Sequence, residues 1–334
     1  MYASAEKWNE FYDRMEQKAL SLVDPATGRL ASPYAENIAC PLCGSTSSSP
    51  RVEKHGFTYV NCRQCQFVYV NPQLTHQAIL EVYNDEDIRE FFFKELLLAH
   101  VERDQRAEFE GRLRELQLLV RTSSPRLLDI GCAAGLFLSL AEKQGFRAEG
   151  LELNQLYVEY VMNNRSVTVH QKTLEEMRYP YGAFNVVTLW DVLEHLPKPL
   201  ETLREAARVT APGGVLALTT INHACINERL LRGRWRYYMP PDHLCSFTPD
   251  MLESLLSRAG FTVLKIQHHY MFEVLAERSF RFLAPAHSPG GLTVPTNKFR
   301  KLSYVILALA SQFVFNTLKS GDLLTVYARK SQEP

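Results

Sequence analysis

The chain has 334 residues, room for one ordinary domain plus an appendage. Its 37 Lys+Arg balance 37 Asp+Glu, so no global field holds polyanionic nucleic acid, and only a local basic patch could do so. With 46% hydrophobic and 11% aromatic residues the chain can bury a sizeable core, and the composition excludes wholesale disorder, collagen, a coiled-coil array and a disulfide-rich miniprotein.

The start, Met1-Tyr-Ala-Ser-Ala-Glu-Lys-Trp, lacks the apolar stretch of a secretory signal, which predicts a cytoplasmic address and reduced thiols. Residues 1–36 read as an N-terminal helical segment. In 37–72, four of the seven cysteines form Cys40-Pro-Leu-Cys43 and Cys62-Arg-Gln-Cys65. Two C-x2-C knuckles at this spacing aim four thiolates at one ion, and a closed tetrahedral shell makes a structural Zn2+. With strands expected near Phe57 and Phe67, the module resembles a zinc ribbon. Two disulfides or four buried thiols are the alternative, disfavoured in a reducing compartment.

Residues 73–124 turn helical, with apolar side chains at three- and four-residue spacing through Leu113, Leu116 and Val120. From Arg126 strands and helices alternate, the signature of a parallel α/β sheet. The expected strands are 126–130, 147–151, 167–170, 185–189, 215–220, 262–267 and 323–328, with helices notably at 136–144, 200–209 and 249–259. Residues 271–320 are too long for an ordinary αβ connection and read as an insertion. Its amphipathic part, Phe299–Lys319, is expected to be a lid or a homodimer helix, with peripheral membrane contact as the alternative; it is too interrupted for a transmembrane segment.

The first strand runs into Asp129-Ile-Gly131-Cys132-Ala133-Ala-Gly135. Small residues there let backbone approach a nucleotide, but the third glycine of a dinucleotide fingerprint is replaced by Leu136. Asp129 suits an ammonium group better than a pyrophosphate, and Glu152, with Leu153 beside it, ends the second strand where an acid accepts ribose hydroxyls. A ribose plus a zwitterionic tail describes S-adenosylmethionine (SAM).

These residues, with Phe184-Asn-Val-Val-Thr-Leu-Trp190-Asp191-Val-Leu-Glu194-His195-Leu-Pro and Ala211-Pro-Gly-Gly, resemble the class I SAM-dependent methyltransferases, in particular those with Glu-His-Leu-Pro after strand four. Some of that group, including certain sugar C-methyltransferases, carry a four-cysteine zinc module in front. The resemblance implies a Rossmann-like, seven-stranded α/β domain over 125–334. It implies that Gly131, Cys132, Ala133 and Gly135 line the methionine end, that Glu152 holds the ribose, that Thr173 and Leu174 border the adenine, and that Trp190 and Asp191 close the pocket. Ala133 departs from the glycine more usual there.

Methyl transfer from a sulfonium needs alignment and sometimes a base. Asp191, Glu194 and His195 share a face if they lie on a helical turn, and His195 is a candidate base. By resemblance the same set is an alternative seat for a second divalent metal. His243, in Pro240-Pro-Asp-His243, is the other candidate base, because the equivalent loop faces the acceptor in related enzymes. Arg232-Gly-Arg-Trp-Arg reads as a solvated loop, with a grip on an acceptor phosphate or carboxylate as the alternative. The expected function is methylation of a small-molecule acceptor on O, N or C, of a sugar, natural-product or quinone/lipid-like kind. The alternatives are an RNA base methyltransferase docking RNA through the zinc module, and a non-catalytic SAM-binding scaffold.

Overall fold

The computed structural model describes residues 5–269 and 320–331. The expected insertion, with its Phe299–Lys319 stretch, lies outside the described residues except for Ser320. Helix α1 (Ala5–Ser21) leads through two short ribbons to a small sheet of β1 (Ser48–Lys54), β2 (Phe57–Cys62) and β3 (Val68–Val70). Helices α2 (His76–Tyr83) and α3 (Glu86–Phe91) follow, and a wider helical stretch, Phe92–Val101, runs on into α4 (Glu102–Leu119). Then come β4 (Arg126–Ile130), α5 (Leu136–Lys143), β5 (Arg147–Leu151), α6 (Gln155–Asn164), β6 (Thr168–His170) and α7 (Leu174–Met177). The remaining elements are β7 (Phe184–Trp190), α8 (Pro199–Val209), β8 (Thr210–Ile221), α9 (Ile226–Leu231), β9 (Cys245–Ser246), α10 (Pro249–Ala259), β10 (Phe261–His269) and β11 (Leu323–Lys330).

The seven strands expected from the sequence all form and make one sheet, ordered β6-β5-β4-β7-β8-β11-β10. Only β11 runs antiparallel to its neighbours. Helices cover both faces, so β7 can be an almost unbroken apolar run, Phe-Asn-Val-Val-Thr-Leu-Trp. On one face α8 buries Leu200, Leu203, Ala206 and Ala207 at helical spacing. Beside it α10 starts where Thr248 accepts a hydrogen bond from the Met251 N–H, with Pro249 in the first turn, and stops at Gly260 in a left-handed conformation. The other face is packed by Phe109, Leu113 and Leu116 of α4 and by Phe137, Leu140 and Ala141 of α5.

The small sheet is not self-contained. Its fourth strand is β9, contributed from far along the chain, where Cys245 pairs with Tyr69 and Ser246 with Val68. Cys40, Leu42, Cys62 and Phe67 accordingly share one apolar core with Leu189, Leu218 and Phe247 of the large domain. A buried network fastens the same region to β11: the Asp322 carboxylate accepts from Asn227 Nδ2 and from Trp235 Nε1 at 3.1 Å. Among the described residues no helix is long and apolar enough to cross a membrane.

In the sheet register Asp129 lies beside Gly150 on one side and Thr188 on the other. Gly150 is needed for space: a Cβ there would stand 2.6 Å from Cys132 Sγ and Leu138 Cδ1. Gly150→Ala is therefore expected to overpack this seam and cost about 1–3 kcal/mol, read as a lower urea midpoint at unchanged slope.

Candidate functional site

The loops after β4, β5, β6, β7 and β8 gather at one edge of the sheet, where the strand order reverses between β4 and β7; ligands of open α/β sheets bind at such a switch point. After β4 the chain turns through Gly131 (φ 74°), Ala133 (φ 45°) and Gly135 (φ 70°) into α5. A Cβ on Gly131 would meet Val192 at 2.6 Å, so the turn is tight against the loop after β7.

Two acids flank this turn. Asp129 is 2% exposed, and its one side-chain hydrogen bond comes from Thr188 Oγ1 at 2.6 Å. Burial pushes its carboxyl up to about 7 against that bond. Glu152, also 2% exposed, accepts from the Ala133 N–H (3.0 Å) on one oxygen and from the Asn154 N–H (2.8 Å) on the other. That second oxygen also takes a hydrogen bond from Tyr83 Oη of α2, at 2.7 Å.

The helical stretch after α3 lies across the turn. Phe93 stacks on Tyr157 at 5.1 Å and, with Leu97, packs on Ala134. Three buried polar atoms near this seat have no hydrogen-bond partner among the described residues: Asn154 Oδ1, Tyr157 Oη and Trp190 Nε1. A buried acid that makes no ion pair among the described residues, orphaned polar atoms and a glycine turn fit a ligand that carries positive charge and hydroxyls.

A second cluster stands at the ends of β7 and β8. Glu194, His195 and His243 each bring one donor atom within 4.8 Å of the others. Glu194 is 2% exposed and accepts from Thr220 Oγ1 at 2.8 Å; burial raises it to about 7, and His195 opposes the rise. With Nδ1 protonated on both rings, His195 donates to the Asp242 carbonyl (3.0 Å) and His243 to the Tyr237 carbonyl (2.9 Å), and neither Nε2 has a hydrogen-bond partner among the described residues. The rings meet edge to face at 4.8 Å.

Burial lowers His243 to about 4, and neighbouring His195 adds to the effect. Burial also acts against charge on His195, but the Asp242 carboxylate outweighs it and raises the group to about 9. Asp242 is held well below the usual carboxylate range, burial notwithstanding, by Arg89 and His195. Arg89 Nη2 donates to Asp242 Oδ1 at 2.8 Å, and its Nε donates to the Tyr83 carbonyl at 2.9 Å. One buried guanidinium of α3 thus ties the cover of the glycine turn to the histidine cluster.

His195, His243 and Glu194, the candidates expected from the sequence, come together in space. Asp191 does not join them: it takes a positive φ of 55°, points its N–H at Thr219, and is followed by a single 3-10 turn, Leu193–His195, instead of an α-turn. Thr173 forms a capping box with Glu176 at the start of α7, and Leu174 is buried in the main core. Leu153 is half-buried beside Glu152, and Trp190 packs on Phe137 with the Arg112 guanidinium 4.5 Å over its ring. Tyr83, Arg89, Thr188 and Asp242 escaped the sequence reading; only Asp242, adjacent to His243, carried a local hint.

Residues 100–266, half of the chain, match the family model described as a methyltransferase domain. The chain is 30% identical over 204 residues to a ubiquinone biosynthesis O-methyltransferase of Pseudomonas aeruginosa (strain UCBPP-PA14), covering 52% of this chain and 86% of that relative. The chain belongs to the SAM-dependent methyltransferases. The enzyme of the same name from Caulobacter sp. (strain K31) is 30% identical over 51% of this methyltransferase and 70% of its own length. For that of Sodalis glossinidius (strain morsitans) the match is 30% over 102 residues and spans 41% of the relative. A SAM dependent methyltransferase from Archaeoglobus fulgidus superposes with a TM-score of 0.47 at 19% identity, over 67% of this chain and 94% of that one; the family assignment rests on the sequence matches.

Removing Arg89 leaves a buried carboxylate with only His195 opposite. Arg89→Met is expected to destabilise the methyltransferase by about 3 kcal/mol in urea unfolding, and Arg89→Met/Asp242→Asn by less than that.

Proposed function

We propose that this methyltransferase methylates a hydroxyl oxygen of a small-molecule acceptor presented to Glu194, His195 and His243. The observation that carries the reading is the convergence of two histidine rings, each with its Nδ1 hydrogen-bonded to a backbone carbonyl, on a buried carboxylate beside the glycine turn. The relatives' name, O-methyltransferase, supports oxygen as the atom methylated.

SAM, when bound, supplies a methyl group on a sulfonium and leaves as a neutral thioether. Gly131, Cys132, Ala133 and Gly135 would give backbone contact to its amino-acid end, and Asp129 would face its positive charge. Glu152 would take the ribose hydroxyls, with Tyr83 Oη giving up the same oxygen. Leu153, Thr173 and Leu174 would border the base, and Trp190 and Asp191 the remaining rim. At the acceptor, His243 is the ring able to take a proton: it is neutral, whereas His195 is already an imidazolium paired with Asp242. His243 Nε2 would take the proton of the acceptor hydroxyl as that oxygen is methylated, the cofactor supplying the methyl group and departing as the thioether. Against burial and the neighbouring His195, the Asp242 carboxylate favours the charge that His243 takes on.

The four cysteines would hold a structural Zn2+. Cys40 Sγ and Cys65 Sγ lie 3.6 Å apart and Cys43 Sγ and Cys62 Sγ 3.5 Å, all four are unbridged, and the set lies within 4.8 Å. A tetrahedron of about 2.3 Å zinc–sulfur bonds fits that spacing.

A second reading is favoured by the Nδ1 hydrogen bonds to carbonyls, the outer contacts that metal-bound histidines make. Glu194, His195 and His243 would then hold a divalent cation that acidifies the acceptor hydroxyl.

Glu152→Gln is expected to weaken SAM binding about tenfold or more by titration calorimetry, with the fold intact by circular dichroism. His243→Ala is expected to lower kcat roughly 100- to 10,000-fold while SAM binding persists; unchanged turnover contradicts the base assignment. A chelator that leaves one zinc per chain by metal analysis separates the two readings. Retained activity supports His243 as base, and loss of activity restored by a divalent cation supports the metal. Cys62→Ser is expected to abolish the zinc and lower the melting temperature.

A further inference from the structure

Between the small sheet and the loop after β8 lies a groove of about 400 Å³ lined by Arg51, Val52, Glu228, Arg229 and Arg232. Its size falls in the range of small-ligand pockets. Three arginines face one acid, and that acid is already occupied. Glu228 Oε1 accepts from Arg51 Nη2 at 2.8 Å and from Tyr238 Oη at 2.9 Å. Arg51 is locked further by its Nε on Tyr238 Oη at 2.8 Å, so its guanidinium is set in place without a ligand. Among the described residues Arg229 and Arg232 have no carboxylate partner, and both are exposed. In a chain of zero formal charge this is a local excess of positive charge in a concave place.

Arg232 has a positive φ of 47°, unusual for a residue with a side chain. The neighbouring aromatic ring does not serve as a stacking platform. Trp235 is fully buried and bonded to Asp322. The exposed chemistry of Arg232-Gly-Arg-Trp-Arg is therefore charge alone.

The geometry points to a binding site for a phosphate monoester or diphosphate group, gripped by Arg229 and Arg232 against the fixed guanidinium of Arg51. Forked guanidiniums suit phosphate oxygens, and two of them are unspent. One layer of aromatic rings separates the groove from the reacting cluster. Tyr238 packs on Tyr59 at 4.7 Å, and Tyr59 Oη donates to the His243 carbonyl at 2.8 Å. The phosphate belongs either to the tail of the methyl acceptor or to a separate effector; the chemistry of the grip is the same. The site is independent of the proposed proton acceptor, because its test reads binding and not turnover.

The test titrates sodium pyrophosphate into the full-length, zinc-replete protein by calorimetry, with Arg229→Gln/Arg232→Gln and the control Arg121→Gln/Arg258→Gln alongside. The expected result is saturable binding by wild type and control that weakens about tenfold or more in the groove variant and falls with added salt. No saturable heat in wild type, or equal affinity in the groove variant, overturns the site. Paired hydroxyl compounds with and without a phosphate ester then identify the source. A lower KM for the phosphorylated member that vanishes in the groove variant marks an acceptor tail, and equal KM values with pyrophosphate binding retained mark an effector.

Discussion

A buried carboxyl that makes no ion pair among the described residues, and whose side-chain hydrogen bond comes from a neutral hydroxyl, is the constraint on which the rest of the structure turns. Asp129 is placed between Gly150 and Thr188 by the sheet register, so it cannot reach water, and a neutral hydroxyl is its one hydrogen-bond donor. The glycine turn follows it directly, and Glu152 is bound to that turn by the Ala133 N–H. A fold of marginal stability keeps such an arrangement when a ligand resolves it. In the proposed reading a sulfonium and an ammonium would supply positive charge beside Asp129, and a ribose would supply donors for Glu152.

The N-terminal third is part of this site and of the acceptor cluster. Tyr83 occupies an oxygen of Glu152, Phe93 covers the turn, and Arg89 joins both to Asp242 and through it to His195. The proposed cofactor seat and the histidine cluster are thus joined through one guanidinium. The four-cysteine module is equally integrated, because β9 completes its sheet only two residues after His243.

The sequence disclosed what is local. Strand, small-residue turn and helix follow one another around Gly131 and Gly135, and the acid at Glu152 ends the next strand, so spacing alone marks them. Paired C-x2-C knuckles mark the cysteine cluster for the same reason. The contacts of Tyr83 and Arg89 were hidden because they join residues 69 and 153 positions apart through helices whose pattern shows only an apolar face. Asp191 illustrates the converse: its spacing from Glu194 and His195 suits a helix face, but residue 191 has a positive φ and the 3-10 turn begins only at Leu193, so the three do not share one helix. The strand pairing of Cys245 and Ser246 is likewise invisible in two residues with no alternation to read.

The account stands or falls on what occupies Glu152. The most direct measurement is an experimental structure of the full chain with the demethylated cofactor, S-adenosylhomocysteine, bound. The predicted result has the ribose hydroxyls on Glu152 with Tyr83 Oη displaced from it, and the amino-acid end along Gly131–Gly135 beside Asp129. A ligand seated elsewhere, with the Tyr83–Glu152 hydrogen bond intact, would contradict it.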